Sequence, residues 1–356
     1  MSTFNTERLQ QLVAYAIKGA GFNKLLDISN DIGISVAEGK LYLNTTDGTN
    51  YLCVQDACVA DDMDIVVNAD LFSKLISKIT SDTVDMEISD NVLVIKGNGT
   101  YKLGIEPNEQ GDNLVFPDKF PVNTEEIGTI SATDLVAVAS TIKTSLDTNV
   151  GSIYANYYFG DVVASTDRAM MSVFNKKLVD NAYLLNREFI DLVCMSNTDA
   201  VMSKSEDMIV AEMNVSEKCI ISVCTRIPND VADYKIDGIK KFVSMDISSF
   251  CRVRKAELLD LLDRLALFVS KFDDGAVVLH FTDNAIEVSS IASSGVEKVE
   301  YTESKDAVDM TIKINIDRLR NQLKAYSSDV VDLYYGSDIC IKLVDGNMTQ
   351  IIALIK

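Results

Sequence analysis

The sequence predicts an α+β fold built from three copies of one domain, each with two helices lying on one side of antiparallel strands. Two observations carry this. Amphipathic helical stripes alternate with strand pairs six times in one fixed order, with equivalent stretches recurring about every 120 residues. An Asn followed two residues later by an acid also opens one helix in each copy, at Asn68/Asp70, Asn186/Glu188 and Asn315/Asp317. A chain of 356 residues is expected to hold two or three domains at about 100–200 residues each. The boundaries fall at the polar connections 121–128 and 237–249, giving domains 1–124, 125–245 and 246–356.

In the first copy, residues 6–19 read as a helix whose Leu9, Leu12, Val13, Ala16 and Ile17 form one stripe, with Arg8, Gln11, Tyr15 and Lys18 off it and Thr6 as candidate cap. Strands 32–36 and 40–43 follow around Glu38-Gly39 and run into Thr45-Thr46-Asp47-Gly48. The next helix starts at Asn68, whose side chain accepts a free first-turn amide, and Asp70 suits the positive end of the helix dipole. Phe72, Leu75, Ile76 and Ile79 recur at i, i+3, i+4, i+7 and face a core, leaving Lys74 and Lys78 on the other side. Val84, Met86 and Ile88 alternate with Asp85 and Glu87, which marks a strand; it turns at Asp90-Asn91 into 92–95. The Gly-Asn-Gly at 97–99 has no helix after it and reads as a hairpin turn rather than a dinucleotide loop.

The second copy repeats this with a helix over 132–145 (Leu135, Val138, Ala139, Ile142, with Lys143 near its end), strands 151–158 and 162–165, and Thr166-Asp167-Arg168. Its second helix packs Phe189, Leu192 and Val193 and carries little positive charge beyond Arg187; strands 208–213 and 219–225 close the copy. The third has Leu258, Leu261, Leu262, Leu265 and Val269 on a helix over 254–270, then strands 275–281 and 286–290 around Asp283-Asn284. Ile316, Leu319 and Leu323 form its second stripe, with Arg320 and Lys324 at i, i+4, before strands 330–335 and 339–344.

Composition excludes several classes. With 47% apolar and 24% charged residues the chain is an ordinary globular one. It has no apolar run long enough to span a bilayer, and its polar opening MSTFNTERLQQ begins an amphipathic helix, so no secretory signal and a cytoplasmic location are expected. The seven cysteines, Cys53, Cys58, Cys194, Cys219, Cys224, Cys251 and Cys340, are odd in number and contain no C-x-x-C, which points to reduced core thiols rather than disulfides or zinc. The net charge of −20 opposes phosphate binding unless the basic residues gather on one class of helix face. The single histidine, His280, lies within an alternating strand, and Asp61-Asp62 and Asp273-Asp274 read as loop solvation. No enzyme activity, cofactor or metal is expected.

The order of these stretches resembles the bacterial DNA polymerase III β subunit family, the sliding clamps, over nearly the whole chain. The third copy carries the resemblance best, in VRKAELLDLLDRLALF (253–268), VVLHFTDNAIEVSS (277–290), INIDRLRNQLKAY (314–326) and TQIIALIK (349–356). NADLFSKLISKI in the first copy and NVGSIYANYYFGDVVASTDR (149–168) in the second add to it. The resemblance implies the DNA clamp fold and a head-to-tail homodimer closing a six-domain ring. Such a ring encircles double-stranded DNA without reading its sequence, in a bacterial or phage-infected cell, and tethers a replicative DNA polymerase after an ATP-dependent clamp loader has opened it. Polymerase and loader would dock through short linear peptides in an apolar pocket between the second and third domains.

By the same resemblance, Lys74, Lys78, Arg320 and Lys324 are the main DNA-contact candidates, Lys24 stands in a loop where the family has a basic residue, and Lys18, Lys143 and Arg264 are weaker additions. The competing meaning of each is a solvated helix face. The pocket positions are Thr166, Asp167, Arg168, Met170 and Met171 after the turn, Ala232 and Tyr234 in the linker, and Ile351, Ala353, Leu354 and Ile355 at the end. Thr166, Asp167 and Tyr234 match the family. Its Gly-His-Arg-Leu is replaced by Arg168-Ala169-Met170-Met171, its linker proline by Ala232 and its Met-Pro-Met by Ala353-Leu354-Ile355, so a different peptide preference is expected. Met170 and Met171 read equally well as plain core. The rival to a clamp is an interaction scaffold or transcription co-activator that keeps the fold without encircling DNA.

Overall fold

Asn5, rather than Thr6, caps the first helix α1 (Thr6–Ala16): its side-chain oxygen accepts the amide of Arg8 at 2.9 Å, while the Thr6 hydroxyl turns away to Ser81 O. The computed structural model describes residues 2–22, 26–228, 231–291 and 295–356. They form two units, Met1–Leu135 with Glu188–Ile227, and Val136–Arg187 with Pro228–Lys356.

In the first unit, α1 and α2 (Ala69–Ile76) pack on each other. Leu9, Leu12, Val13 and Ala16 of α1 and Phe72 and Ile76 of α2 are buried. Asn68 caps α2 by accepting the amide of Leu71 at 3.0 Å. At the other end of α2 the Gln10 amide donates to Ile76 O and Ile79 O, both at 2.9 Å, so an α1 side chain satisfies carbonyls that a helix end leaves open. Two antiparallel sheets back these helices. One has Ser2–Asn5, Thr83–Ser89, Val92–Lys96 and Thr100–Gly104 in that order. The other has eight strands: Met63–Asn68, Asp31–Ala37, Lys40–Thr46, Asn50–Ala57, Cys219–Arg226, Met208–Asn214, Ala200–Lys204 and Glu125–Ile130. It crosses from the first copy into the second where Asn50–Ala57 pairs with Cys219–Arg226. The hairpin turns at Glu38-Gly39 and Asp90-Asn91 place both central residues at positive φ, the conformation that matches strand twist in a two-residue hairpin.

The helix over 132–145 is α3 (Ala132–Thr141) followed by a 3₁₀ turn, Ile142–Ser145, and α4 is Arg187–Val193. The second unit holds a nine-stranded sheet: Tyr183–Asn186, Asn156–Phe159, Val163–Thr166, Met170–Phe174, Met348–Ala353, Cys340–Asp345, Val330–Tyr335, Ser249–Arg254 and Glu303–Lys305. Here the second copy joins the third, through Met170–Phe174 against Met348–Ala353. A four-stranded sheet of Val296–Glu300, Ala285–Ser290, Ala276–Phe281 and Met310–Asn315 completes the unit.

Two further sequence expectations change. The connection 237–249 is partly helical, α5 (Ile236–Val243), because Ile236, Ile239, Phe242 and Val243 make an apolar stripe that Asp237, Gly238, Lys240 and Lys241 disguise as a linker. Residues 151–158 are not one strand: Ile153–Ala155 is a 3₁₀ turn capped by Ser152, whose hydroxyl accepts the Tyr154 amide at 3.2 Å, and the strand begins at Asn156. In the third copy, α6 (Lys255–Leu265) and α7 (Ile316–Ala325) pack together. Leu258, Leu261, Leu262, Leu265, Ile316, Leu319 and Leu323 share one buried core with Val277, Leu279 and Phe281 of the strands. Among the described residues no helix is long and apolar enough to cross a membrane.

Candidate functional site

The basic candidates sit mostly at the C-terminal ends of helices, where a cation is favoured by the dipole whatever else it does. Lys18 is exposed in the 3₁₀ turn that ends α1, with Nζ 6.0 Å from the Tyr15 ring centre. Lys74 and Lys78 are exposed, off the buried face of α2. Lys74 holds Asp70 at 2.7 Å, an i, i+4 pair, whereas Lys78 has no ion-pair partner among the described residues. Lys24 lies outside the described residues.

In the second unit, Lys324 is exposed and unpaired among the described residues, and Lys143 is half-buried. The two arginines differ from what spacing suggests. Arg320 is not a free partner of Lys324: it bridges α7 to α6, with Nε 2.7 Å from Asp263 Oδ1 and Nη2 on the same oxygen, and Nη1 3.0 Å from Asp317 Oδ1. Arg264 holds Glu297 with a two-pronged grip, Nε to Oε1 at 2.9 Å and Nη2 to Oε2 at 2.5 Å. That bond raises the Arg264 pKa and holds the Glu297 carboxyl below its ordinary value. Both arginines spend much of their charge inside the chain.

The Thr166-Asp167-Arg168 turn is built from its own side chains. Buried Thr166 donates to Met170 O at 2.7 Å and accepts the Arg168 amide at 2.8 Å. Asp167 Oδ1 accepts the amides of Ala169 at 2.8 Å and Met170 at 2.6 Å. The same four bonds recur at Thr46 and Asp47. The preceding hydroxyls match as well: Thr45 donates to Ala16 O at 2.6 Å and Ser165 donates to Ile142 O, each tying a strand to the end of its copy's first helix. The repeat is thus preserved at the level of single hydrogen bonds.

Beyond the turn, strand alternation separates the two methionines. Met170 opposes Ile352 and enters the core of the third copy. It therefore lies on the opposite face of the strand from Met171, in the plain-core position that its sequence context equally allowed. Met171 opposes Ile351, which opposes Lys342, Tyr334 and Phe250 in turn, so one outward row crosses five strands. Helix α5 packs beside this row: Met171 and Val243 touch both the cluster around Tyr234 and the cluster of Ile247, Cys340 and Ile351. Lys342 is buried and donates from Nζ to Val243 O at 2.9 Å and to Met245 O, pinning the end of α5, and burial lowers its pKa.

Tyr234 is buried between Tyr158, stacked at 5.4 Å, and Tyr154, edge-on at 5.1 Å, and burial raises its phenol pKa. Ala232 is exposed in the turn just before it. The C-terminal segment is anchored by its backbone: Ala353 N donates to Ala169 O at 2.9 Å, Leu354 N to Ile339 O at 2.8 Å and Ile355 N to Lys313 O at 2.9 Å. All three of those side chains are half-buried, and Leu354 packs on the third copy's core. The structure therefore gathers Met171, Tyr234 and Ile351 around α5. It adds Tyr154, Tyr158, Phe242, Val243 and Tyr334, for which the only sequence signal was the stripe hidden in α5.

No protein-family model matches the chain. It is 22% identical over 359 residues to the beta sliding clamp of Rickettsia felis, covering 93% of this chain and 92% of that one. Among solved structures, the DNA polymerase III subunit beta of Borrelia burgdorferi matches with a TM-score of 0.86 at 16% identity, covering 100% of this chain and 99% of that one. The beta subunit of Streptococcus pyogenes DNA polymerase matches at 0.84 and 16% identity, over 99% of each. The chain has the DNA clamp fold from end to end, and along nearly all of its length its sequence is similar to the bacterial beta sliding clamps.

Proposed function

We propose that this protein is a DNA sliding clamp, a non-catalytic processivity factor that encircles duplex DNA and tethers a replicative polymerase. The observation that carries the reading is likeness along the entire chain to beta sliding clamps, in sequence and in fold together. The working form is a head-to-tail homodimer of three-domain chains, with domains 1–124, 125–245 and 246–356. Its support is the edges: among the described residues, neither Thr100–Gly104 nor Val296–Glu300 has a strand on its outer side. Joining these edges between two copies continues each four-stranded sheet, as the chain already does internally at Asn50–Ala57 and at Met170–Phe174. Heterologous contacts of this kind close into a ring when the rotation allows. Leu267 and Phe272, 82% and 100% exposed after α6, supply apolar surface for such a joint.

In this reading Lys18, Lys24, Lys74, Lys78, Lys143 and Lys324 face DNA, with Arg264 and Arg320 contributing less because of their carboxylate partners. Polymerase and ATP-dependent loader dock as short peptides beside α5, against Met171, Tyr234 and Ile351, with Arg168 at the rim. Light scattering with negative-stain images tests the ring. Twice the chain's mass and a holed particle support it, and a compact monomer at micromolar concentration overturns it.

The two neutralised arginines favour one alternative, a clamp-fold scaffold or transcription co-activator that does not encircle DNA. Reversing the charge of Lys78 and Lys324 separates the two, because a sliding clamp loses processivity or loading and a scaffold keeps its function.

A further inference from the structure

The Thr-Asp turn occurs twice with the same hydrogen bonds, and the third residue differs. In the first copy it is Gly48 at φ +94°, where a glycine is at ease; in the second it is Arg168 at φ +75°. A long side chain in the left-handed region is strained, and such strain persists where the surroundings over-determine it. Here they do. The Arg168 guanidinium carbon lies 5.9 Å from the centre of the Tyr154 ring, within reach of a cation–π contact, and Nη2 lies 3.5 Å from Asp147 Oδ2. Asp147 is itself locked, accepting the amide of Asn149 at 3.0 Å. Tyr154 is locked against Tyr234. The arginine side chain nevertheless stays 71% exposed, and the single long contact to Asp147 leaves the rest of its donor fork without an acceptor among the described residues.

A guanidinium aimed by a ring and a carboxylate, with its donors open to solvent, is arranged to take a planar anion. It stands beside the apolar surface of Tyr154, Tyr234 and Met171. Resting on the peptide-docking role proposed above, the geometry points to Arg168 as a specificity-determining residue: the partner peptide of this protein places an Asp or Glu carboxylate next to its apolar anchors, and Arg168 reads it. The internal comparison supplies the reason for a non-glycine residue at this position. The fold of the turn is satisfied by glycine, so the arginine is explained by what it presents.

The test is fluorescence anisotropy on the full chain with acetylated nonapeptides that carry one leucine and one phenylalanine to suit the methionine and tyrosine surface, placed at varied spacings, in which each remaining position in turn is Glu or Gln. The expected result is one position where Glu binds about fivefold tighter than Gln, the scale of a well-aligned exposed ion pair, with that ratio shrinking in high salt. In R168G the ratio falls to about one while the thermal midpoint rises, because glycine removes the strain; R168K retains part of the ratio. Equal binding of Glu and Gln peptides at every position, or a preference that survives R168G, overturns the role of Arg168 and leaves the docking surface standing. Failure of every peptide to bind overturns both.

Discussion

The side-chain amide of Gln322 on α7 donates to the hydroxyl of Ser145 at 2.8 Å, and both residues are fully buried. Ser145 in turn shares a hydrogen with Ser172 at 2.7 Å, and Gln350 reaches Ser172 at 3.5 Å. This small polar network joins the turn after α3, the strand Met170–Phe174 and α7, so it couples the second copy to the third inside one core. Replacing Gln322 by Leu removes the amide donor to Ser145 and leaves that buried hydroxyl with Ser172 as its remaining partner, which is expected to cost about 1–2 kcal/mol in urea unfolding. Adding Ser145→Ala should recover part of that loss, since the cycle removes the hydroxyl that lost its donor.

Asp31 predicts a pH dependence. Burial, then Glu106 and Asp27, push its carboxyl up from 3.8 to about 6. The folded chain therefore holds a proton between those values that the unfolded chain has released. The stabilisation is complete below the unfolded pKa and is lost as pH rises through about 6. Above that, the protein carries a buried charge that it would be more stable without. Asp31→Asn should raise stability at pH 8 by about 1–2 kcal/mol and change little at pH 4, read from denaturation midpoints at the two pH values.

The cationic helix faces give a contrast between paired and unpaired residues. Lys78 and Lys324 have no ion-pair partner among the described residues, so Lys78→Glu with Lys324→Glu should shorten primer-extension products while costing less than about 1 kcal/mol of stability. Arg320→Glu faces Asp263 and Asp317 and should instead lower the unfolding free energy by about 1–2 kcal/mol, because it replaces two attractions by repulsions. Equal effects of the two variants on product length and stability would show that the pairing does not matter.

The proposed dimer joint is testable at two exposed apolar residues. Leu267→Asp with Phe272→Asp should leave circular dichroism unchanged, since neither side chain is buried in the single chain, and should shift the light-scattering mass to that of a monomer at micromolar concentration.

Much of this was readable from local sequence. Asn68 and Asn315 cap their helices as their spacing predicts, each accepting the amide three residues on at 3.0 Å. The stripe Leu258, Leu261, Leu262, Leu265 is buried, and the turns at Glu38-Gly39 and Asp90-Asn91 fall where the alternation breaks. Short-range errors had short-range causes: Asn5 outcompeted Thr6 as a cap, and the charges of α5 hid its four apolar residues.

The sequence by itself determined the elements, their order and their threefold recurrence, because helix stripes, strand alternation, caps and turns each depend on residues within a few positions of one another. Only the tertiary structure decided what each functional side chain is free to do. Glu297 meets Arg264 across 33 positions and Asp263 meets Arg320 across 57, and nothing in helical spacing announces either pairing. The pairing of Met170 with Ile352 and of Met171 with Ile351 sends one methionine inward and leaves the next beside α5. Charge neutralisation and the choice of sheet face depend on groups brought together by folding, whose sequence separation carries no periodic signal.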